Sequence, residues 1–334
     1  MKSLFHIATI SCALLLLTSC QQAGTENTSN KTGNSSIDPL PSWNDGKTKK
    51  AIVEYISKVT KEGNPDFIPE EDRIATFDND GTLWSEKPYV QEVFALFMAK
   101  KLVEKNPSLA TKQPFRAIFE NDSAYFKNGG EKAFVELIMV THTGMSVDEF
   151  DGYAHEFFKS AVYPGRNVPI RNITYKPQLE LLQYLRDNGF LTYICTRGTV
   201  EFVRCISKEF YGIHPYQVIG TSFKYEYVDS SNSIFRKALF GSFNDKLEKP
   251  SNIRLHIGKK PVFACGNKGG GGDIAMLEYS QSSTYPSFQL MINHDDSIRE
   301  FSYAELDTAS LKASVKNNWH VVSMKNDWKN IFNE

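Results

Sequence analysis

The chain has 334 residues, of which 41% are hydrophobic, 13% aromatic and 23% charged. This is the composition of an ordinary globular protein, and it excludes collagen, coiled coils and wholesale disorder. There are 38 Lys and Arg against 39 Asp and Glu, for a net charge of −1. Nothing in the overall charge therefore indicates a nucleic acid or an anionic membrane as a partner.

The first twenty residues read as a segment outside the fold. Lys2 is followed by an apolar run over residues 4–17 that is too short to span a bilayer. The run predicts a secretory signal peptide over residues 1–19. Its end, Leu17-Thr18-Ser19-Cys20, resembles the bacterial lipobox, in which the cysteine is acylated. That resemblance implies lipidation of Cys20 and anchoring to the bacterial cell envelope, facing the periplasm or the cell surface.

The next segment, residues 20–48, is rich in Asn, Ser, Thr and Gly and is predicted to be a flexible tether. Three cysteines lie beyond it, Cys195, Cys205 and Cys265. Because they are odd in number and have apolar neighbours, we interpret them as buried thiols, with a Cys195–Cys205 disulfide as the alternative.

From residue 49 onward, strand and helix patterns alternate. Short apolar runs predict strands at 73–78, 190–195, 218–222 and 261–265, with later runs at 288–292 and 321–323 that extend the series. Buried strands separated by helices predict an α/β fold, a Rossmann-like, three-layer core around a parallel sheet, over residues 49–87 and 176–334.

A long insertion separates the first two predicted strands. Apolar residues recur at helical spacing over 89–105, 131–141 and 147–161. We therefore predict an all-helical cap over residues 88–175, placed above the carboxyl ends of the strands. Ligands bind at that edge of such sheets.

The first predicted strand ends in Phe77-Asp78-Asn79-Asp80-Gly81-Thr82-Leu83. Two carboxylates at this spacing converge only if the chain turns, and Gly81 permits the turn. The segment resembles the first motif, DxDGT, of the haloacid dehalogenase superfamily, and the resemblance to its secreted, phosphoserine-phosphatase-like members covers nearly all of residues 50–334.

This resemblance implies a phosphatase, a phosphoric monoester hydrolase that uses Mg²⁺. It makes Asp78 the nucleophile that forms an aspartyl-phosphate and Asp80 the general acid and base. Gly81 and Thr82 are then expected to contact the substrate.

Two later segments match further motifs of the family. Thr196 stands at the end of the second strand, where the family has a Ser or Thr that binds the phosphoryl oxygens; a helix N-cap is the compatible alternative. Arg197 is either a phosphate clamp or a surface residue. Lys249, just before Pro250 and a predicted helix, is the candidate for the lysine that offsets charge, with Lys246 as its competitor.

The fourth motif departs from the family pattern. Asn267 stands where the family has an acid, and Asp273 follows it by six residues instead of four, after a run of glycines. The resemblance implies that Mg²⁺ is bound by Asp78, by the Asp80 carbonyl, and by Asn267 or Asp273. Because one carboxylate is missing, we expect weakened metal binding.

Two acidic positions bear on the substrate. Glu86 matches an acid that meets the substrate ammonium in phosphoserine phosphatases, which predicts a small organic phosphate of phosphoserine-like kind. The cluster His294-Asp295-Asp296 is interpreted as an acidic helix cap or a metal site at the rim of the active site.

The sequence therefore predicts a lipid-anchored, Mg²⁺-dependent phosphomonoesterase for a small phosphorylated substrate. It predicts no nucleic-acid partner and no membrane contact except through the anchor. The alternative is a catalytically weak lipoprotein that binds a phosphorylated ligand, for which a second acid such as Asp80 has no use.

Overall fold

The computed structural model describes residues 38–269, 272–303, 305 and 307–333. The predicted signal peptide, Cys20 and most of the predicted tether lie outside these residues. At the end of the tether range, Leu40 and Trp43 are buried, and the Trp43 indole donates to the Pro177 carbonyl at 2.9 Å. The tether prediction is thus wrong for its last residues, because two large apolar side chains pack them into the fold.

The fold begins with one helix and one short strand, α1 (Lys47–Thr60) and β1 (Ile74–Phe77). All four residues of β1 are buried. An uninterrupted apolar run of this kind is typical of a central strand with both faces covered, whereas a half-exposed strand alternates.

A series of helices follows β1: α2 (Val90–Lys105), α3 (Phe115–Phe119), α4 (Ser123–His142) and α5 (Val147–Ser160). Gly130 interrupts α4 with a φ of +52°. After α5 comes an antiparallel ribbon of β2 (Val162–Tyr163) and β3 (Val168–Pro169). The prediction that 88–175 is all-helical is wrong here, because Gly165, with a φ of +86°, allows the chain to turn back on itself.

The rest of the chain alternates between helix and strand. Its elements are α6 (Lys176–Asp187), β4 (Leu191–Thr199), α7 (Val200–Tyr211), β5 (Val218–Val228), β6 (Ser233–Ser242), α8 (Glu248–Ile257), β7 (Phe263–Asn267), α9 (Ile274–Gln281), β8 (Phe288–Asn293), α10 (Ala309–Asn317), β9 (His320–Ser323) and α11 (Met324–Asp327).

One sheet runs through the described chain in the order β6-β5-β4-β1-β7-β8-β9. Every neighbouring pair is parallel except β5 and β6, which form an antiparallel hairpin. Phe77 in β1 lies opposite Ile194 in β4 and Cys265 in β7. The predicted α/β fold with a mostly parallel sheet is confirmed, and the carboxyl ends of β1, β4 and β7 meet at one edge.

The helices between β1 and β4 are held by aromatic packing. Phe94 of α2 is completely buried, and its ring lies 5.5 Å from that of Phe150, 5.1 Å from Phe157 and 4.8 Å from Phe202 in α7. Such ring pairs are favourable beyond the area they bury. The inserted helices are thereby packed against α7, next to the edge where the strands end.

Two further features concern the chain as described. Its three cysteines, Cys195, Cys205 and Cys265, carry free thiols; Cys195 and Cys265 are buried as predicted, whereas Cys205 is only partly buried. Among the described helices, none combines the length and the apolar character needed to cross a bilayer.

Candidate active site

The loop after β1 turns sharply and is held by its own backbone. The Asp78 amide still donates to the Cys265 carbonyl of β7 at 2.9 Å, while Gly81 N donates to Trp84 O at 2.8 Å. Gly81 has a φ of +74°, and a Cβ there would overlap the side-chain amide of Asn267. Glycine is therefore required at this position both by the backbone and by the close approach of Asn267.

A buried lysine joins two of the acids. The Lys249 ammonium lies 2.7 Å from an oxygen of Asp78 and 2.5 Å from an oxygen of Asp273, and its side chain is 2% exposed. Burial alone would lower the pKa of Lys249, but the attraction of Asp273 and Asp78 raises it. Burial and repulsion from Asp273 raise the pKa of Asp78 well above its usual value, although Lys249 counteracts the effect. The lysine is therefore charged and neutralises only one of its two partners.

Asp80 lies in the same loop with its carboxylate bound to Trp84, whose indole N–H donates to it at 2.8 Å. Burial raises the pKa of Asp80 to about 6; the Trp84 hydrogen bond opposes this shift, and the charge of Glu86 adds to it. A carboxyl group with this pKa is protonated in about half of the molecules at pH 6 and in about a tenth at pH 7, so both protonation states that proton transfer requires are populated.

Asn267, at the end of β7, is held on three sides. Its backbone N–H donates to Asp273 at 2.9 Å, and its side-chain amide donates to Glu86 at 3.3 Å and to the Tyr303 hydroxyl at 3.0 Å. A carboxylate can only accept, so the amide nitrogen has to face Glu86. The amide oxygen of Asn267 is consequently the atom left to bind a cation.

These side chains open into one cavity of about 740 Å³. We call its charged floor the acidic end, made of Asp78, Asp80, Glu86 and Asp273 around Lys249. When all four carboxyl groups are ionised, the one buried ammonium balances only one of them, and burial together with the repulsion among the rest raises the pKa values of Asp78 and Asp80. Yet among the described residues no three His, Cys, Asp or Glu side chains converge to hold a metal ion by themselves.

A comparison with protein families identifies the family of this chain. The model of the haloacid dehalogenase-like hydrolases matches residues 75–278, from β1 to α9. The chain belongs to this family. The prediction of an enzyme of hydrolase type is thereby confirmed. A search of curated proteins found no match to this sequence.

Two solved structures, with TM-scores of 0.55 and 0.50, share the fold at low sequence identity. A conserved protein of unknown function from Anaerococcus prevotii DSM 20548 is 14% identical with a TM-score of 0.55, covering 85% of this chain and 94% of that one. A protein of unknown function from Bordetella pertussis Tohama I is 17% identical with a TM-score of 0.50, covering 75% and 98%. A phosphoserine phosphohydrolase-like protein from Francisella tularensis is 14% identical with a TM-score of 0.38, covering 77% and 95%.

Most of the site residues expected for a haloacid dehalogenase-like hydrolase come together in this structure. Those lining the cavity are Asp78, Asp80, Glu86, Arg197, Lys249, Asn267 and Asp273. Asp273 reaches it across the lengthened glycine loop, with one oxygen on Lys249 and the other on the Asn267 amide. Between the competing lysines, Lys249 has the buried position, whereas Lys246 is exposed.

Three expected residues do not line the cavity. Gly81 and Thr82 lie below its surface, and the completely buried Thr196 uses its hydroxyl to accept from Gly198 N at 2.9 Å. Thr196 is thus turned toward the loop that follows it. Arg197 is half-exposed and forms an ion pair with Glu131 of α4, so it bridges the inserted helices and the core.

Two polar residues that were not predicted from the sequence hold the end of β4 in place. Gln91 accepts from Thr199 N at 3.2 Å, and Asn244 donates to the Thr196 carbonyl at 2.8 Å. Each is an isolated polar residue outside any motif, so a single sequence carries no signal for it. His294, of the cluster His294-Asp295-Asp296, donates from its ring to the Gly81 carbonyl at 2.8 Å and supports the turn.

Proposed function

We propose that this hydrolase is a Mg²⁺-dependent phosphomonoesterase that acts through an aspartyl-phosphate on Asp78. The observation that carries the proposal is the buried Asp78 carboxylate, bonded to Lys249 and sharing a cavity with Asp80, whose pKa is about 6. A buried carboxyl group that can attack phosphorus and a second one that can give and take a proton, both lining one cavity at the edge of the sheet, support transfer of a phosphoryl group.

In the first half of the reaction, Asp78 attacks phosphorus with the oxygen that Lys249 does not bind. The bond between phosphorus and the alcohol oxygen breaks, and protonated Asp80 gives its proton to that oxygen. In the second half, water attacks the aspartyl-phosphate and Asp80 takes the water proton. Asp78 is released with inorganic phosphate, so atoms and protons balance over the cycle.

Lys249 keeps the nucleophile in place. Its ammonium bridges Asp78 and Asp273, which fixes the orientation of the Asp78 carboxylate and reduces its repulsion toward an anionic phosphate. Because Asp273 is also bonded to the Asn267 backbone, the β1 and β7 loops are tied together through a single buried cluster.

The residues fit a hard dication. Oxygen donors and a surplus of negative charge are what Mg²⁺ requires, and we assign it to the Asp78 carboxylate, the Asp80 carbonyl and the Asn267 amide oxygen. When bound, the ion would neutralise charge on the phosphoryl oxygens. Asp273 is committed to Lys249 and Asn267, which favours Asn267 as the ligand. With a neutral amide in place of an acid, we expect metal affinity to be modest.

The enzyme proposal is tested with the purified full-length chain, Mg²⁺ and p-nitrophenyl phosphate. We expect turnover that Asp78→Asn abolishes and that EDTA suppresses, while Asp229→Asn, at an exposed position, retains it. Activity that survives Asp78→Asn contradicts the proposal. Binding of phosphate without turnover of any ester would favour the alternative of a phospho-ligand-binding lipoprotein.

We also propose that the chain is a lipoprotein of the bacterial cell envelope, acylated at Cys20. Support comes from the lipobox-like Leu17-Thr18-Ser19-Cys20 alone. Metabolic labelling with radioactive palmitate should mark the wild-type protein and not Cys20→Ser. Equal labelling of both proteins, or labelling of neither, would refute the anchor.

A further inference from the structure

The cavity has a second, chemically different part. Away from the acidic end it is bounded by an apolar wall, which we define as Phe126, Phe134, Ile138, Phe240 and Phe243. Phe126, Phe134 and Ile138 come from α4, Phe240 comes from β6, and Phe243 follows that strand. The inserted helices and the core thus both contribute aromatic surface to one space that is continuous with Asp78.

The aromatic rings of the apolar wall that come from the core pack against one another and against a buried phenylalanine. The Phe240 ring lies 5.4 Å from Phe243 and stacks 5.4 Å from Phe223, which is 1% exposed. These rings are therefore fixed by packing, yet Phe240 and Phe243 remain partly exposed on the cavity side. Fixed apolar surface that faces an open space next to a reactive group favours a ligand that covers it.

The size of the cavity also exceeds what a small polar ester needs. A volume of about 740 Å³ lies within the range of about 300–1,000 Å³ found for pockets that bury a drug-sized ligand. Phosphoserine would occupy only the acidic end and leave the apolar wall wet. A substrate with a bulky alcohol group fills both parts at once.

The groups that would recognise an amino-acid phosphate are already engaged. Glu86 accepts from the Asn267 amide at 3.3 Å and lies 3.8 Å from the Lys87 ammonium. Arg197, expected to be a phosphate clamp or a surface residue, is paired with Glu131 and lies 3.8 Å from Asp245. Glu92 adds a further acid to the lining. Beyond the acidic end the lining carries three acids, Glu92, Glu131 and Asp245, against two bases, Arg197 and Lys246, so an anionic substrate body is disfavoured there.

From this arrangement we infer that the substrate is a phosphomonoester of a neutral, bulky, apolar alcohol, whose hydrocarbon or ring lies against the apolar wall while its phosphoryl group lies at the acidic end. The inference rests on the proposed function and replaces the phosphoserine-like substrate expected from the sequence. The chemistry is unchanged: water and the ester give the alcohol and inorganic phosphate.

The test compares esters of three primary alcohols, so that the leaving groups are chemically similar: ethyl phosphate, phosphoserine and 2-phenylethyl phosphate. Each is assayed with the full-length chain for kcat/KM. We expect 2-phenylethyl phosphate to exceed the other two by at least about tenfold, since even one methylene in an apolar pocket changes kcat/KM by about 10-fold or more.

Variants of the wall locate the effect. Phe134→Ala and Phe243→Ala are expected to lower kcat/KM for 2-phenylethyl phosphate by roughly tenfold and to leave ethyl phosphate nearly unchanged. Phe119→Ala, at a phenylalanine of α3 that is 43% exposed, is the matched control. Phe134→Leu keeps most of the volume and serves if the alanine variant fails to fold.

The outcomes separate this inference from the proposed function. Turnover of all three esters at similar kcat/KM, or a preference for phosphoserine, overturns the inference and leaves the phosphatase intact. If no ester is hydrolysed, the proposed function fails, and calorimetry with 2-phenylethylphosphonate against ethylphosphonate then decides. Tighter binding of the phenyl compound, lost in Phe243→Ala, supports the apolar wall, and equal binding refutes it.

Discussion

The charge on Asp80 is expected to destabilise the metal-free protein. Burial moves the pKa of this carboxyl from 3.8 to about 6, with the Trp84 hydrogen bond in opposition and the charge of Glu86 in addition. A shift of about 2 units at about 1.4 kcal/mol per unit amounts to about 3 kcal/mol. Asp80→Asn removes the charge and keeps an oxygen that can accept from the Trp84 indole. At pH 8 we therefore expect the variant to be more stable than wild type by up to about 3 kcal/mol.

Because the pKa of Asp80 is raised in the folded protein, the stability difference between Asp80→Asn and wild type depends on pH. Below about pH 3.8 Asp80 is protonated in the folded and the unfolded chain, so the charge penalty is absent. As the pH rises from about 3.8 through about 6, the free energy of unfolding of the wild-type protein falls, because the buried carboxyl group is harder to ionise than the same group in the unfolded chain. Above about pH 6 Asp80 is ionised in both states and the loss is complete. The difference between the variant and wild type should thus grow from pH 4 to pH 7 and then stay constant.

The assay is urea unfolding in EDTA, followed by tryptophan fluorescence at pH 4, 6 and 8. Asp229→Asn, which removes an exposed carboxylate, is the control and should stay within about 0.5 kcal/mol of wild type throughout. Lower stability of Asp80→Asn at pH 8, or a difference that does not change between pH 4 and pH 8, would refute the electrostatic reasoning.

Two other substitutions test the surrounding structure. Gly81→Ala places a methyl group against the Asn267 amide at a φ of +74° and should lower kcat/KM at least tenfold, since such strain costs about 1–3 kcal/mol. Gly63→Ala is the control: Gly63 has a φ of +77° but faces open space, so this variant should lose stability without losing activity. Wild-type activity in Gly81→Ala would show that the turn is not needed. Glu201→Gln removes the carboxylate that lies 3.3 Å from the completely buried Arg236 guanidinium and leaves only the weaker attraction of Asp151, so it should cost about 3–5 kcal/mol in urea unfolding. A loss below about 1 kcal/mol would mean that Glu201 does not balance Arg236.

The fold was predictable where burial imposes a simple pattern. Central strands such as β1 are buried on both faces, so they appear in the sequence as uninterrupted apolar runs. The edge strand β6 carries charged and apolar residues together because much of it is exposed, and no run marked it. The burial of Leu40 and Trp43 was missed for a related reason, since two apolar residues in a polar segment carry no periodicity.

The acidic end was predictable because its members follow strands or begin helices. Asp78 and Asp80 lie directly after β1, and Lys249 lies in the first turn of α8, so their sequence positions largely determine where they meet. The position of Asp273 was left open, because a glycine loop fixes no path. The pairing of Arg197 with Glu131 was not predictable, because it joins segments 66 residues apart.

The apolar wall was also not predictable from the sequence, because its residues come from distant segments. Its phenylalanines lie on α4 and around the end of β6, and each has the spacing of an ordinary core residue in its own segment. Only the approach of the inserted helices to the β5–β6 hairpin brings them together beside Asp78. The sequence therefore predicted which charged residues meet at the acidic end more completely than it predicted the apolar wall.

The central claim, that Asp78 becomes phosphorylated, is tested most directly by trapping the intermediate. The full-length chain is mixed with Mg²⁺ and acetyl phosphate, quenched in acid and reduced with borohydride, which converts an aspartyl-phosphate to homoserine. Mass spectrometry of the peptide containing residue 78 is expected to find homoserine at Asp78 and at no other aspartate, and only when the phosphate donor is present. Hydrolysis of the donor without modification of Asp78, or modification of Asp80 or Asp273 instead, would contradict the account.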